Sequence, residues 1–413
     1  MTSVATHRRG SGWRAVVPGL AAACALWNAT PVQAQPDGAT GPAEAIAIRQ
    51  REKATQLQPH VPGRVERILD RVEGALLGER PSAWHPFFDN AYQGGGLTLG
   101  AGHRSSVGRH GLLDARGSLT VRGYVRAEVE YVTPLPGPRT ELLALAGWRR
   151  ATQVGFFGLG TSATSEDDRV SYGFEQPYAQ VQIGARPVAP LRVAAGLEYS
   201  HWTVVSGSGD APSIEEAYGP QDLPGLGTSP AYLQPFVQVG LDTRREDGQA
   251  RAGTLVMTRA SAHHTRDGAL SFRRMVYEAV HHQPVLQDLW VLSLRTRVET
   301  THPATGDAVP FFLLPSLGGG DTLRGFTSWR FRDRHSLLLS AEWRVMVNRF
   351  IEVAAFGDAG KVVSETRRLD LQELESDFGL GVRLHGVRST FLRVDLARSH
   401  EGLMVVFAAG VPF

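Results

Sequence analysis

"SLLLSAEWRVMV", residues 336–347, places Leu337, Leu339, Ala341, Trp343, Val345 and Val347 at every second position, with Ser340, Glu342 and Arg344 between them. Successive side chains of a strand point to opposite faces, so this stretch, if extended, has one face suited to oil and one to water. The division recurs in "AQVQIGAR" (179–186), "LRVAAGLEYS" (191–200) and "WVLSLRTRVE" (290–299). Strands of soluble sandwiches usually run for about five or six residues. These runs reach about ten or more, the length a tilted strand needs to cross a membrane.

Such runs are expected at 86–92, 94–104, 111–122, 124–133, 139–154, 169–186, 190–204, 232–243, 249–263, 269–283, 286–301, 336–348, 350–361, 376–387, 389–398 and 403–413, sixteen in all. "SLTVRGYVRAEVEYV" is divided at Gly123, which gives the even count expected of bacterial barrels. Lipid offers no hydrogen bonds, so a sheet within it must leave no free edge. The expected fold is all-β: a closed, 16-stranded antiparallel transmembrane barrel over 86–413. Short links such as "PLPGPRT" and "LHGVRS" alternate with long ones such as 206–230 and 302–335, as periplasmic turns alternate with surface loops.

The start of the chain gives an address. Residues 1–34 run from His7, Arg8, Arg9 and Arg14 through "VVPGLAAACALW" to "VQA", the order of a secretory signal peptide whose apolar core is too short to span a bilayer. A lipoprotein would anchor at Cys24, but "LAAA" lacks leucine at the expected place and "VQA" offers a better cleavage site. Cleavage before Gln35 removes the single cysteine, and with it disulfides and thiolate metal ligands. Residues 35–85 are expected to form a short helical periplasmic segment, because Val65, Ile68, Leu69, Val72 and Leu76 recur at helical spacing. Its apolar face could plug the pore, rest on the rim or dock a periplasmic partner. At the other end, Phe413 follows Val405, Phe407, Ala409 and Val411 at every second place. Phe407 and Phe413 thus look like the terminal aromatic signal that barrels present to their assembly machinery.

Composition narrows the function classes. A formal net charge of +2 gives no footprint for nucleic acid. No stretch after the signal peptide is apolar for 18 residues, so no transmembrane helix is expected. There is no G-x-S-x-G nucleophile elbow, and an enzyme is not expected. His263 with His264, and His281 with His282, are adjacent on strands, so each pair turns only one imidazole inward; they are read as structural, with no metal or other cofactor. Trp148, Trp202, Trp290 and Trp343 are read as belt or wall residues.

"GGGDTLRGF" (318–326), followed by "FGDAGKV" (356–362) and "FGLGVR" (378–383), with "LDTRREDGQARAG" (241–253) and "GFFGLG" (155–160) before them, resembles the BamA/TamA superfamily of outer-membrane barrels, also called the bacterial surface antigen family. The resemblance covers about 90–413. It implies that Leu323, Arg324, Gly325 and Phe326 form the tip of a surface loop folded into the lumen after the eleventh strand. It implies that Arg324 meets the F-x-D-x-G pattern of the thirteenth strand, here Phe356, Asp358 and Gly360, and it marks Asp242 and Arg244 as an upstream motif. Alternation agrees, since Glu352, Phe356 and Asp358 oppose Ile351, Val353 and Ala355, and Arg383 and His385 oppose Leu380, Val382 and Leu384. A guanidinium in a confined lumen needs a carboxylate, because a desolvated unpaired charge costs several kcal/mol. Relatives in secretion and assembly carry periplasmic POTRA domains, and residues 35–85 are too few for one. The resemblance implies protein or lipid insertion or translocation at the outer membrane, with membrane lipids and the assembly machinery as partners. The alternative is a passive channel or structural barrel.

Overall fold

The computed structural model describes residues 83–413 apart from 90, 162–167, 245–249, 287–288, 349, 386–389, 409 and 411–412. The signal peptide and nearly all of the expected helical segment lie outside the described residues. The strands are β1 (Ala83–Pro86), β2 (Thr98–Val107), β3 (Gly111–Thr120), β4 (Val125–Leu135), β5 (Thr140–Phe156), β6 (Val170–Ala185), β7 (Leu191–His201) and β8 (Thr203–Ser206). They continue with β9 (Ala231–Asp242), β10 (Gly253–His263), β11 (Phe272–Leu286), β12 (Trp290–Pro303), β13 (Ser316–Leu317) and β14 (Phe331–Arg332). The last are β15 (His335–Met346), β16 (Ile351–Val363), β17 (Glu375–His385), β18 (Thr390–Ser399) and β19 (Gly402–Ala408). Seventeen of them form one antiparallel sheet, and β13 pairs with β14 in a small separate hairpin.

Seventeen strands replace the expected sixteen because one run is broken. Trp202 gives its backbone N–H to Pro230 O and packs its indole between Phe174 and Phe312 (ring centroids 4.9 and 5.4 Å), which divides 191–206 into β7 and β8. Both pieces pair with β6, so they occupy one place in the sheet. Trp202 is therefore an interior residue and not part of a membrane belt. The first strand also moves, from 86–92 to Ala83–Pro86: Pro86 has no N–H to extend the ladder, and the chain turns at Gln93 and Gly94 instead. The split at Gly123 stands, between β3 and β4.

The paired strands run from β1 to β19 without showing the ring closed. The end strands are short: β1 has four residues and β19 seven. The closed barrel expected from sequence is thus not seen, whereas the continuous antiparallel sheet is. Alternation sets its two faces. Val237, Val239, Leu241, Leu380 and Val382 are exposed on one side, while Asp114, Glu128, Glu342, Glu352 and Arg383 are buried on the other. An apolar outer face and a charged inner face suit a wall between lipid and a polar interior. No helix among the described residues is long and apolar enough to cross a membrane, so any crossing is made by strands.

The interior holds two apolar clusters. The larger joins Phe156, Tyr172, Phe174, Tyr232 and Phe272 at strand ends to Ile214, Leu223 and Leu226 of the 207–230 link and to Phe311 and Phe312 of the 304–334 link. In the 207–230 link a single helical turn, α1 (Ile214–Ala217), is closed by a capping box: Glu216 accepts from the Ser213 N–H at 3.1 Å. The smaller cluster is Leu317, Leu323, Phe326, Phe331, Leu338 and Val362. Burying each of these leucine or phenylalanine side chains is worth about 1.5–3 kcal/mol. The two clusters hold the 304–334 link against the inner face at both its root and its tip.

Candidate functional site

The tip of the 304–334 link is a compact set of turns. The Gly319 N–H is shared between Leu323 O and Phe326 O, both at 3.0 Å, and Phe326 N donates to Leu323 O at 3.2 Å. Thr322 adds its hydroxyl as acceptor for the Gly318 N–H at 2.9 Å. These bonds turn Leu323 and Phe326 toward the wall, where Phe326 meets Phe331 and His400 edge-on at 5.1 and 5.4 Å. Gly325 must lack a side chain, because a Cβ there would sit 2.5 Å from Asp377 Cβ. Gly360 likewise leaves room for Leu317, 2.9 Å from where its Cβ would be.

Arg324 is 1% exposed, and the wall meets every part of its guanidinium. Its Nε and Nη2 donate in a fork to Asp358 Oδ2 and Oδ1 at 2.6 and 3.0 Å. Nη1 donates to Glu342 Oε1 at 2.5 Å and lies 3.5 Å from Asp395 Oδ2. The guanidinium carbon stands 3.4 Å from the centre of the Phe356 ring. A planar, delocalised cation is the one side chain that forks a carboxylate and stacks on a ring at once. Tertiary contacts thus hold Arg324 from β15, β16 and β18, three of four successive strands of the wall.

Behind Arg324 the charges continue along the inner face. Arg383, fully buried, donates to Glu342 at 2.7 Å and to Glu352 at 3.0 Å. Arg344 donates to Glu352 at 3.0 and 3.1 Å and to Ala250 O at 3.2 Å, in the link between β9 and β10. His385 donates or accepts with Thr390 Oγ1 at 2.8 Å. Arg393 reaches Asp395 at 3.3 Å and Gly320 O at 2.7 Å, gripping the tip from its other side. Arginine pairs of this kind are stable in a dry interior only as closed sets, because one removed partner strands a charge.

The structure brings together Leu323, Arg324, Gly325, Phe326, Phe356, Asp358, Gly360 and Arg383. It keeps Asp242 and Arg244 apart from them, at the end of β9, where Asp242 accepts from Arg244 Nε at 3.1 Å and pairs with Arg192 at 3.0 Å. Phe407 is exposed on the outer face. Phe413 departs from that face: its ring stacks on His282 at 6.5 Å and lies 5.7 Å from the Arg295 guanidinium, both on the inner side. One imidazole of each histidine pair does turn inward, His263 stacking on Phe272 at 4.2 Å and His282 bonding Ser293 Oγ at 2.8 Å. Among the described residues no three metal-ligating side chains converge.

Sequence reasoning placed Glu342, Arg344 and Glu352 on the inner face without assigning them to Arg324. Asp377, Arg393 and Asp395 went unremarked. The alternation of Arg393, Asp395 and Ala397 with Leu392, Val394 and Leu396 carries that signal.

Comparison with known proteins agrees with this geometry. The Omp85 superfamily domain matches residues 114–397. Among solved structures, BamA from Haemophilus ducreyi lacking POTRA domains 1-3 superposes with a TM-score of 0.57 at 15% identity, over 79% of this chain and 69% of that one. CdiB from Escherichia coli superposes with a TM-score of 0.53 at 14% identity, over 81% of this chain and 63% of that one. At such identities the likeness is one of fold. No curated protein matches. With the domain match spanning most of the barrel strands and the loop arginine seated on its aspartate, this chain belongs to the Omp85 superfamily of outer-membrane barrels.

Proposed function

We propose that this protein inserts or translocates proteins or lipids at the bacterial outer membrane, with the sheet closed into a barrel in the bilayer. The observation that carries the reading is the seating of Arg324 in a fork on Asp358 beneath the 304–334 link. A loop held against the interior by a buried arginine restricts free passage, and a barrel that must open for a client gains from it a defined resting state. Outer-membrane lipids would contact the exposed apolar face, and the assembly machinery would deliver the chain to the membrane. The segment before β1 would meet any periplasmic partner.

The test is reconstitution into liposomes with urea-unfolded outer-membrane barrels as the probe. The wild type should speed their insertion, read as the heat-modifiable form on gels, and Arg324→Ala and Asp358→Ala should each lose most of that effect. Insertion no faster than in empty liposomes, accompanied by solute flux through the wild type, would favour the passive channel. A lipid-scrambling assay on the same vesicles separates a lipid role from a protein one.

A further inference from the structure

Among the described residues Asp377 is the carboxylate of the clasp region with no cation at ion-pair distance, whereas Asp395, also without a hydrogen bond, lies 3.3 Å from Arg393 and 3.5 Å from Arg324. Asp377 is 4% exposed, and no side chain donates a hydrogen bond to either carboxyl oxygen, the Gly325 backbone N–H being the donor nearest it. Among the described residues no arginine or lysine reaches it at ion-pair distance. In the ladder between β16 and β17 it stands directly opposite Asp358, both are buried on the inner face, and side chains directly opposite across an antiparallel pair have Cβ atoms about 4.5–5.5 Å apart. Asp358 already accepts both bonds of the Arg324 fork.

The charges around the pair do not balance as drawn. Arg324, Arg383 and Arg393 supply three positive charges, against four carboxylates on Glu342, Asp358, Asp377 and Asp395. The remaining groups do not alter this. Arg344 and Glu352 neutralise each other, and His385 faces Glu352 at 3.6 Å, away from Asp377. On β17 itself Glu375 pairs with His400 at 3.3 Å, and Asp321 of the loop is largely in solvent beside Arg393. From β18, Arg398 meets the loop through its backbone, against Gly325. One surplus negative charge is left among buried groups, and two carboxylates set side by side in such a place do not both ionise.

We infer that Asp377 holds a proton, as the neutral donor facing the Asp358 carboxylate, so that the clasp on Arg324 is a proton-binding site. This proton makes the clasp neutral. Releasing it to water leaves a second carboxylate beside Asp358 that competes for Arg324. If seating the loop binds a proton, raising the pH favours the unseated loop. This rests on the clasp and not on the proposed insertion role.

Infrared spectra of the folded protein in lipid test it without any client. The wild type should show the carbonyl stretch of a protonated carboxyl, shifting in heavy water and fading as pH rises. Asp377→Asn, which keeps shape and a donor, should lack that band. So should Asp358→Asn, where Asp377 inherits Arg324 and ionises; this second variant serves if the first does not fold, as judged by heat modifiability. In planar bilayers the wild type should pass from quiet to noisy conductance with rising pH, and Asp377→Asn should stay quiet throughout. No protonated-carboxyl band in the folded wild type, as expected for two ionised groups bridged by a metal cation, would overturn the inference. So would a band or a pH response that survives in Asp377→Asn.

Discussion

At the scale of single residues, Arg324 is held by a fork, a third carboxylate contact and a ring face, and these contacts differ in what each substitution removes. Removing one partner of a fully buried pair costs about 3–5 kcal/mol, most of it the penalty of the charge left behind. Arg324→Ala and Asp358→Ala should each free the loop tip, and planar-bilayer conductance should become larger or noisier in both. Because both lose the same interaction, the double variant should resemble either single one. Additive effects would mean that the two residues act apart. Arg324→Lys keeps the charge but not the fork or the stacking, and should fall between wild type and alanine. The arginine and its aspartate were legible from motif and alternation together. The crowd of Glu342, Asp377, Asp395 and Arg393 was not, because alternation tells which face a residue takes and not which residue across the interior it meets.

At the scale of elements, strand identity was legible and strand ends were not. A period-two pattern marks a wall strand wherever one face meets lipid, but a ladder ends where backbone donors find other partners. Trp202 shows how: its indole is claimed by an interior cluster built from links far off in sequence, and the strand breaks there. The 304–334 link posed the opposite difficulty, since its glycines signal turns without saying what they approach. Gly325 approaches Asp377 Cβ too closely for any side chain, so Gly325→Ala should lift the tip without changing the chemistry of any clasp residue. The measurement is trypsin cleavage after Arg324 in the folded protein. The wild type should resist, because Arg324 is buried, and Gly325→Ala should be cut at least about tenfold faster if unseating costs 1.4 kcal/mol less. Equal cleavage rates would show that the wall yields enough to accept the methyl group.

At the scale of the whole molecule, the two ends of the chain carry expectations that the sheet does not decide. If the "VQA" site is used, the mature chain begins at Gln35, which intact mass establishes; a lipid-modified Cys24 would contradict it. Phe413 has two separable roles. As a terminal aromatic it would mark the unfolded chain for assembly, and in the folded protein its ring lies inside, against His282 and Arg295. Deleting Phe413 removes both, while His282→Ala removes only the folded contact. If the assembly role holds, the deletion should leave unassembled chain in the periplasm, and His282→Ala should give wild-type yields of heat-modifiable protein. If the inward contact is what matters, both variants should assemble normally and both should show altered conductance, because Arg295 also donates to Asp321 O of the loop tip at 3.0 Å. Pulse–chase fractionation of the two strains distinguishes these outcomes. A deletion that assembles at the wild-type rate removes the targeting role from Phe413 and leaves it with Phe407 and the apolar face of β19.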